Sequence, residues 1–479
     1  MVSPPGSSPI TIRPQPHDPA ELRRWEWTGL ARRILYGQWR ADLERRVQCQ
    51  VGSVRREAWG IVDLSANLFR QVWDALSVLF DRWPVVGGEG ADRLMPYVHD
   101  AGLWPLMSRV QRDTLALREM LLRVDVVGDR VVYRSVFPDF VICRDDPQIP
   151  GRLIEVREQR LRERVATGRL EWTWDVLELA GPSYRILADD GTDLTDEYLG
   201  GSQSGEAYPY RMADGAPVLP YVMFHAAATS RLWDPYASVE LIEGTLNLGV
   251  KYTFLGHQER NSAWSQRNAI NLQLAGTGIA DEDRDGKRRH EVVADPSLVL
   301  LWDVVNPEAG QPSLQQWSSP SSPIDAQEAI SMYERRLASF AGINPADLIR
   351  MSGDPRSGYA VSVSHAAIRA AQRRYEPQFR AGISETLNLT AILLNRAAEA
   401  GAVDLGSPLP ESGYTIAFQG VPLSPEEQRA RRENLVSLIG AGLLDPIDAY
   451  RELNPGTTET EARDALRRIR ESRATLGPI

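Results

Sequence analysis

Lysine is almost missing from this chain of 479 residues: Lys251 and Lys287 are the only two among 54 basic residues. A P-loop nucleotidase needs a lysine after a glycine-rich strand-to-helix turn, where it reaches the phosphates. Neither lysine has that setting, which excludes a motor ATPase of this kind. Cysteine is as scarce. Cys49 and Cys143 lie far apart without C-x-x-C spacing, so a disulfide scaffold and a Cys-ligated zinc site are excluded. Buried thiols in a reducing compartment are expected instead. No apolar run approaches the roughly 20 residues of a membrane span, and no membrane partner is expected. The N-terminal stretch MVSPPGSSPITIRPQPHDP lacks the apolar centre of a signal peptide and has the composition of a flexible arm. A basic stripe is missing too. The net charge is −10, and residues 181–245 hold ten Asp or Glu against three Arg, although the first fifty residues are net basic. Phosphate neutralisation supplies most non-specific DNA affinity, so tight nucleic-acid binding is not indicated.

What is present is ordinary globular material, 43% apolar and 25% charged, in a length that allows two to four domains. From Pro19 to about Met120 the pattern is helical, with Leu22, Trp25, Leu30, Ile34 and Trp39 forming an aromatic-rich stripe suited to a core or a subunit interface. The period then changes. RVDVVGDRVVYRSV sets a Gly128-Asp129 turn between β-branched runs, which predicts a hairpin, and alternation continues to about Thr195. A Gly/Ser/Pro-rich link, 200–220, ends in PVLPYVMFHA, a short buried strand. Val239, Ile242, Leu246, Val250 and Phe254 predict a helix with one apolar face, followed by short strands and turns to Pro320. Ser322, Pro323 and Asp325 suit the start of a second helix, with Ala326, Ile330, Tyr333, Leu337 and Phe340 as its buried stripe and Gly342 at its end. Ala367, Ala371, Tyr375, Phe379, Ile383 and Leu387 step along a third, longer helix that Pro377 should kink. Start signals at Ser424, Asp445 and Thr458 predict three short helices at the C-terminus.

Three stretches invite a chemical reading, and none holds. DEDRDGKRRHEV places Asp281, Asp283, Asp285 and Gly286 as in a calcium loop, but the required glutamate falls at Glu291, one position early, and flanking helices are absent. A charged turn between two strands is the better account. SGYAVSVSH, Ser357 to His365, lacks the G-x-S-x-G elbow, and His365 belongs to the first turns of a helix. VVGGEGAD, from Val85, has no phosphate-binding lysine and is expected to be a turn. No catalytic residue, metal ligand or cofactor is expected, and the chain is not expected to be an enzyme.

The order of these elements resembles the portal (head-to-tail connector) proteins of tailed bacteriophages, from about Leu121 to the end. PVLPYVMFHA, the helix after it and SQRNAINLQLAG resemble that family's approach to its first stem helix and clip. AISMYERRLASFAGINPADLIRMSGDPRSGYAVS resembles its second stem helix and tunnel loop, and NLVSLIGAGLLDPIDAYRELNPGTTETEARDAL its crown. The resemblance implies a helix-dominated α+β portal fold. Its parts would be an arm (1–18), helical and β-rich parts of a wing (19–120 and 121–235), a first stem helix (236–264) and a clip (265–321). A second stem helix (322–341), a tunnel loop (342–360), a long kinked wing helix with a following strand (361–423) and a helical crown (424–479) would complete it.

The same resemblance implies a homo-oligomeric ring, usually dodecameric, at the portal vertex of a virion assembled in the host cytoplasm. Double-stranded DNA would pass through it without sequence specificity. The terminase large subunit, a head-completion adaptor, and the major capsid and scaffold proteins would be its other partners. The tunnel loop would face DNA with Asn344, Asp347, Arg350, Met351, Ser352, Gly353, Asp354, Arg356 and Ser357. The clip would offer Asp281, Asp283, Arg284, Lys287, Arg288 and Arg289 for docking. Physical reasoning agrees on the loop: residues 341–360 carry two Asp and two Arg, and Gly342, Gly353 and Gly358 free the backbone. A channel that must pass a duplex cannot hold its phosphates tightly. The competing classes are another virion structural protein, of tail or capsid, and an enzyme of unknown class. Particle shape separates them: rings, tubes or fibres, and small globules.

Overall fold

Asp18 opens helix α1 (Pro19–Leu35) by accepting the Ala20 N–H at 2.9 Å, with Pro19 in the first turn where its missing donor costs nothing. Trp25 and Trp39 are both buried, so the N-terminal aromatic stripe belongs to the core. The computed structural model describes residues 15–51, 62–164, 168–199, 208–229, 231–234, 238–263, 266–270, 272–276, 279–282, 288–291, 301–304, 311, 313–317, 322–343, 358–419, 425–453 and 459–476. The chain divides into two compact units, residues 1–349 with 372–419, and residues 350–371 with 420–479. Helices α2 (Arg40–Val51) and α3 (Leu68–Leu76) follow, then strand β1 (Val85–Gly87), α4 (Ala91–Asp100) and α5 (Leu103–Leu117). Strand β1 corrects the turn expected at VVGGEGAD: Val85 to Gly87 pair antiparallel with Thr415–Ala417. The glycines there serve close packing, since a Cβ on Gly88 would stand 2.7 Å from the Gly413 carbonyl oxygen.

The β-rich region is as the alternation predicted. Strands β2 (Glu119–Val127) and β3 (Arg130–Val136) form the hairpin, with Gly128 at φ +62° between the paired Val127 and Arg130. Strands β4 (Val141–Asp145), β5 (Leu153–Glu163), β6 (Leu170–Glu178) and β7 (Ser183–Ala188) make a second antiparallel sheet in that order. After the short α6 (Thr195–Leu199), strand β8 (Tyr221–His225) joins β2, giving a sheet ordered β3-β2-β8. Leu121, Val136, Val141, Cys143, Val156, Leu177 and Tyr221 pack as one apolar cluster drawn from both sheets. Burial pushes the Cys143 thiol up. Cys49 corrects the expectation of two buried thiols: it is exposed.

Helix α7 (Val239–Ala263) is followed by β9 (Gln266–Ile270), β10 (Leu272–Gly276), β11 (Ile279–Glu282), β12 (Arg288–Glu291), β13 (Leu301–Val304) and β14 (Ser313–Trp317), then by α8 (Pro323–Phe340). Ser322 caps α8 by accepting the Ile324 N–H at 3.2 Å, and Gly342 follows its end at φ +76°. The long helix α9 (Gly358–Glu399) continues across Pro377 and begins within the stretch expected as loop. Its Phe379, Ile383 and Leu387 are fully buried, and strand β15 (Thr415–Ala417) returns to β1. The fold is a mixed α+β arrangement.

In the second unit α10 (Pro425–Gly440), α11 (Pro446–Leu453) and α12 (Glu459–Leu476) are the three expected helices. Asp445 caps α11 by accepting the Ile447 N–H at 2.7 Å; Ser424 and Thr458 lie outside the described residues. Leu435, Ala449 and Ala462 form the small buried centre of this unit.

Candidate assembly site

The helix expected to show one apolar face buries that face and more, leaving a polar side on which Glu240 and Lys251 are exposed. Leu241, Ile242, Leu246, Leu248, Val250 and Leu255 of α7 are all in the core, because α2, α3 and α8 each pack against it. Small residues let them approach. A Cβ on Gly249 would stand 2.9 Å from Leu43 Cδ2 and 3.0 Å from Trp39 Cη2, and one on Gly244 would stand 2.7 Å from Leu337 Cδ2. Polar contacts fix the rotation of the helix. The Phe69 N–H donates to Thr245 Oγ1 at 3.1 Å, the Asp63 N–H to Thr253 Oγ1 at 3.0 Å, and Arg46 pairs with Glu243.

Helix α8 runs antiparallel to α7: Gly244 meets Leu337, while the Tyr252 hydroxyl donates to Glu334 Oε1 at 2.8 Å and Lys251 Nζ lies 5.4 Å from the Tyr333 ring centre. Burial, with the Glu334 carboxylate beside it, pushes the Tyr252 hydroxyl up. The pairing continues beyond the helices, since β9 and β14 are antiparallel from Gln266↔Trp317 to Ile270↔Ser313. Chain therefore leaves through α7 and β9 and returns through β14 and α8. Ile330, Leu337 and Ala338 are the buried side of α8. Phe340 corrects the expected stripe: with Ile324 and Met332 it is exposed, at 69%, 66% and 69%, and Asp325, Glu328, Arg335 and Arg336 are exposed with them.

Between the two sheets of the β-rich region lies a cluster that sequence reasoning missed. Arg123, 3% exposed, reaches Asp175 Oδ2 at 3.0 Å, Glu158 Oε2 at 3.3 Å and Asp125 Oδ2 at 2.7 Å. Arg134, Arg160 and Arg162 close around the same two carboxylates. The Tyr221 hydroxyl donates to Glu158 Oε2 at 2.7 Å. Burial raises the carboxyls of Asp175 and Glu158, but the surrounding arginines, Arg162 and Arg134 foremost, outweigh it and hold both below their usual range. Asp175 is 0% exposed and Glu158 1%, so no substrate reaches them here. The available signal was Arg123 itself, a charge interrupting the apolar run from Met120 to Val124.

Of the clip residues named from sequence, Asp281 lies on β11 and Arg288 and Arg289 on β12, with Asp281 opposite Arg289 and Glu282 opposite Arg288. The two strands expected on either side of the charged stretch are there, and residues 283–287 between them lie outside the described residues. Asp283, Arg284 and Lys287 lie outside the described residues, as do all nine tunnel-loop residues from Asn344 to Ser357. Among the described residues no cluster of His, Cys, Asp and Glu could hold a metal ion, and no helix is long and apolar enough to cross a membrane.

No known protein family and no curated protein matches the chain. Solved structures do. A chain of the virion of a native gene transfer agent particle is similar at 13% identity, over 80% of this chain and 88% of that one, with a TM-score of 0.39. A chain from the neck of the empty particle, computed with C6 symmetry, gives 14% identity, 81% and 89% coverage and a TM-score of 0.40. One from the neck of the native particle, computed with C12 symmetry, gives 13%, 81%, 90% and 0.40. Likeness at this level says nothing of what the chain does.

Proposed function

We propose that this chain is a portal-type virion protein, the subunit of a ring through which DNA is packaged and later ejected. The observation that carries the reading is the antiparallel stalk, in which α7 and β9 lead out and β14 and α8 return. Such a stalk places a strand-rich tip at the end of a helical pair, the arrangement that the resemblance implies for a stem carrying a clip. The exposed apolar residues spaced along α8, Ile324, Met332 and Phe340, support it, because large apolar side chains left in solvent by one subunit are suited to contact with another copy. In this reading the role is structural and not enzymatic. The terminase large subunit and then a head-completion adaptor dock on the tip, capsid and scaffold proteins hold the wing, and the loop 344–357 faces the DNA.

Negative-stain images of the purified full-length chain test the reading. Closed rings with a central hole are expected, with a scattering mass near a dozen subunits. Tubes would favour a tail component, and a strictly monomeric species at micromolar concentration would overturn the ring.

A further inference from the structure

Arg118 is the one non-glycine among the described residues with φ in the left-handed region, at +77°. A side chain in that conformation is strained and persists only where its surroundings hold it. Here the holding groups are plain. Nε and Nη2 of Arg118 both donate to Asp234 Oδ2, at 3.0 and 2.8 Å, and its carbonyl accepts the Ala226 N–H at 2.8 Å. The next residue, Glu119, is 4% exposed and accepts the Asp234 N–H on Oε1 at 2.6 Å. Two adjacent residues at the start of β2 thus hold Ala226, just after β8, and Asp234. Cavities of about 410 and 370 Å³ adjoin the grip, sharing Glu119 and Asp234 in their walls. The indole Nε1 of Trp233 and Nδ1 of His225 are buried there without a hydrogen-bond partner. The space and the unspent polar groups leave room for a second arrangement of residues 231–234.

We propose that Arg118 and Glu119 form a strained latch on Asp234, which fixes residues 231–234 in one position and can release them to another. A proton controls it. Burial, with the Asp234 carboxylate adding to it, pushes the Glu119 carboxyl up to about 8 against the pull of the Asp234 N–H, Arg118 and Arg24. The other charged or titratable groups around it are Glu21 and Arg23 of α1, His225 of β8, whose imidazole burial shifts down against the pull of Asp234, and Arg231. In the latched form Glu119 keeps its proton until about pH 8, whereas a released, hydrated carboxyl loses it from its ordinary 4.5. Because the latched pKa is the higher, latching is fully favoured below the lower value. It is lost progressively as pH rises between the two, and changes no further above about 8.

Amide exchange on the full-length protein, corrected for the intrinsic rate at each pH, tests this. Protection of residues 231–234 should fall by up to about tenfold per pH unit between roughly pH 5 and 8 and then level off. Glu119→Gln keeps an acceptor for the Asp234 N–H and cannot titrate, so its protection should stay constant across that range. A wild-type segment with constant protection, or a Glu119→Gln variant that keeps the fall, overturns the proposal. Strain is read separately by comparing Arg118→Gly with Arg118→Ala, since both lose the ion pair and only glycine accepts the backbone angle. The glycine variant should melt at the higher temperature; an alanine variant melting as high or higher overturns the latch.

Discussion

The guanidinium of Arg123 lies 3.0 Å from the carboxylate of Asp175, across the space between two sheets and out of reach of solvent. Charges taken from water are costly unless paired and hydrogen-bonded, and here Arg134, Arg160 and Arg162 complete the pairing. Removing one member leaves the others buried and uncompensated. Asp175→Ala should therefore cost about 3–5 kcal/mol in denaturant unfolding, far more than an exposed pair such as Arg429–Glu433.

The same cluster sets the acid limit of the fold. Asp175 and Glu158 are held below their ordinary values, 3.8 and 4.5. Their stabilisation is complete above those values and is lost as pH falls through the lower folded ones. Melting temperature should drop steeply below about pH 4, and Glu158→Gln should flatten that limb while lowering stability at pH 7. This slope is opposite in sign to that of Glu119.

Glycines on α7 make an internal comparison. Gly249→Ala drives a methyl into Leu43 and Trp39 and should destabilise by about 1–3 kcal/mol. Gly256 has nothing within 4 Å of a built Cβ, so Gly256→Ala should stabilise by up to about 1 kcal/mol. Thermal melts of the two variants against wild type decide it.

On α8, Met332→Asp combined with Phe340→Asp changes exposed positions only, and should leave subunit stability within about 0.5 kcal/mol. In the proposed ring it should cost assembly, seen as loss of the high-mass species by light scattering. Intact rings from this variant would move the interface elsewhere.

For the loop 344–357 we expect faster amide exchange on assembled rings than for Asp325 to Phe340 of α8. Gly353→Pro should leave rings intact and lower DNA packaging or retention. Gly358 is the first residue of α9, where proline is tolerated, so Gly358→Pro alone should have little effect. At the stalk tip, reversing Arg288 and Arg289 should weaken motor docking without stopping assembly; the opposite pattern would remove the tip from the docking role.

Much of this fold was determined by local chemistry that the sequence displays. Ser322 and Asp445 announce their helices because a short acceptor side chain meets the first free N–H groups. Gly128 announces its hairpin because it alone carries the needed backbone angle cheaply. Tertiary structure decided what depends on contacts between distant residues. It widened the buried face of α7 through contacts with α2, α3 and α8, leaving Glu240, Lys251 and Gly256 exposed, and it left Phe340 in solvent though its spacing placed it in the core. It drew Arg123, Glu158 and Asp175 together from three strands, and Glu119 to Asp234 across 115 positions. Periodicity reports which residues share a face, but what a face meets is set by the packing of elements far apart in the chain.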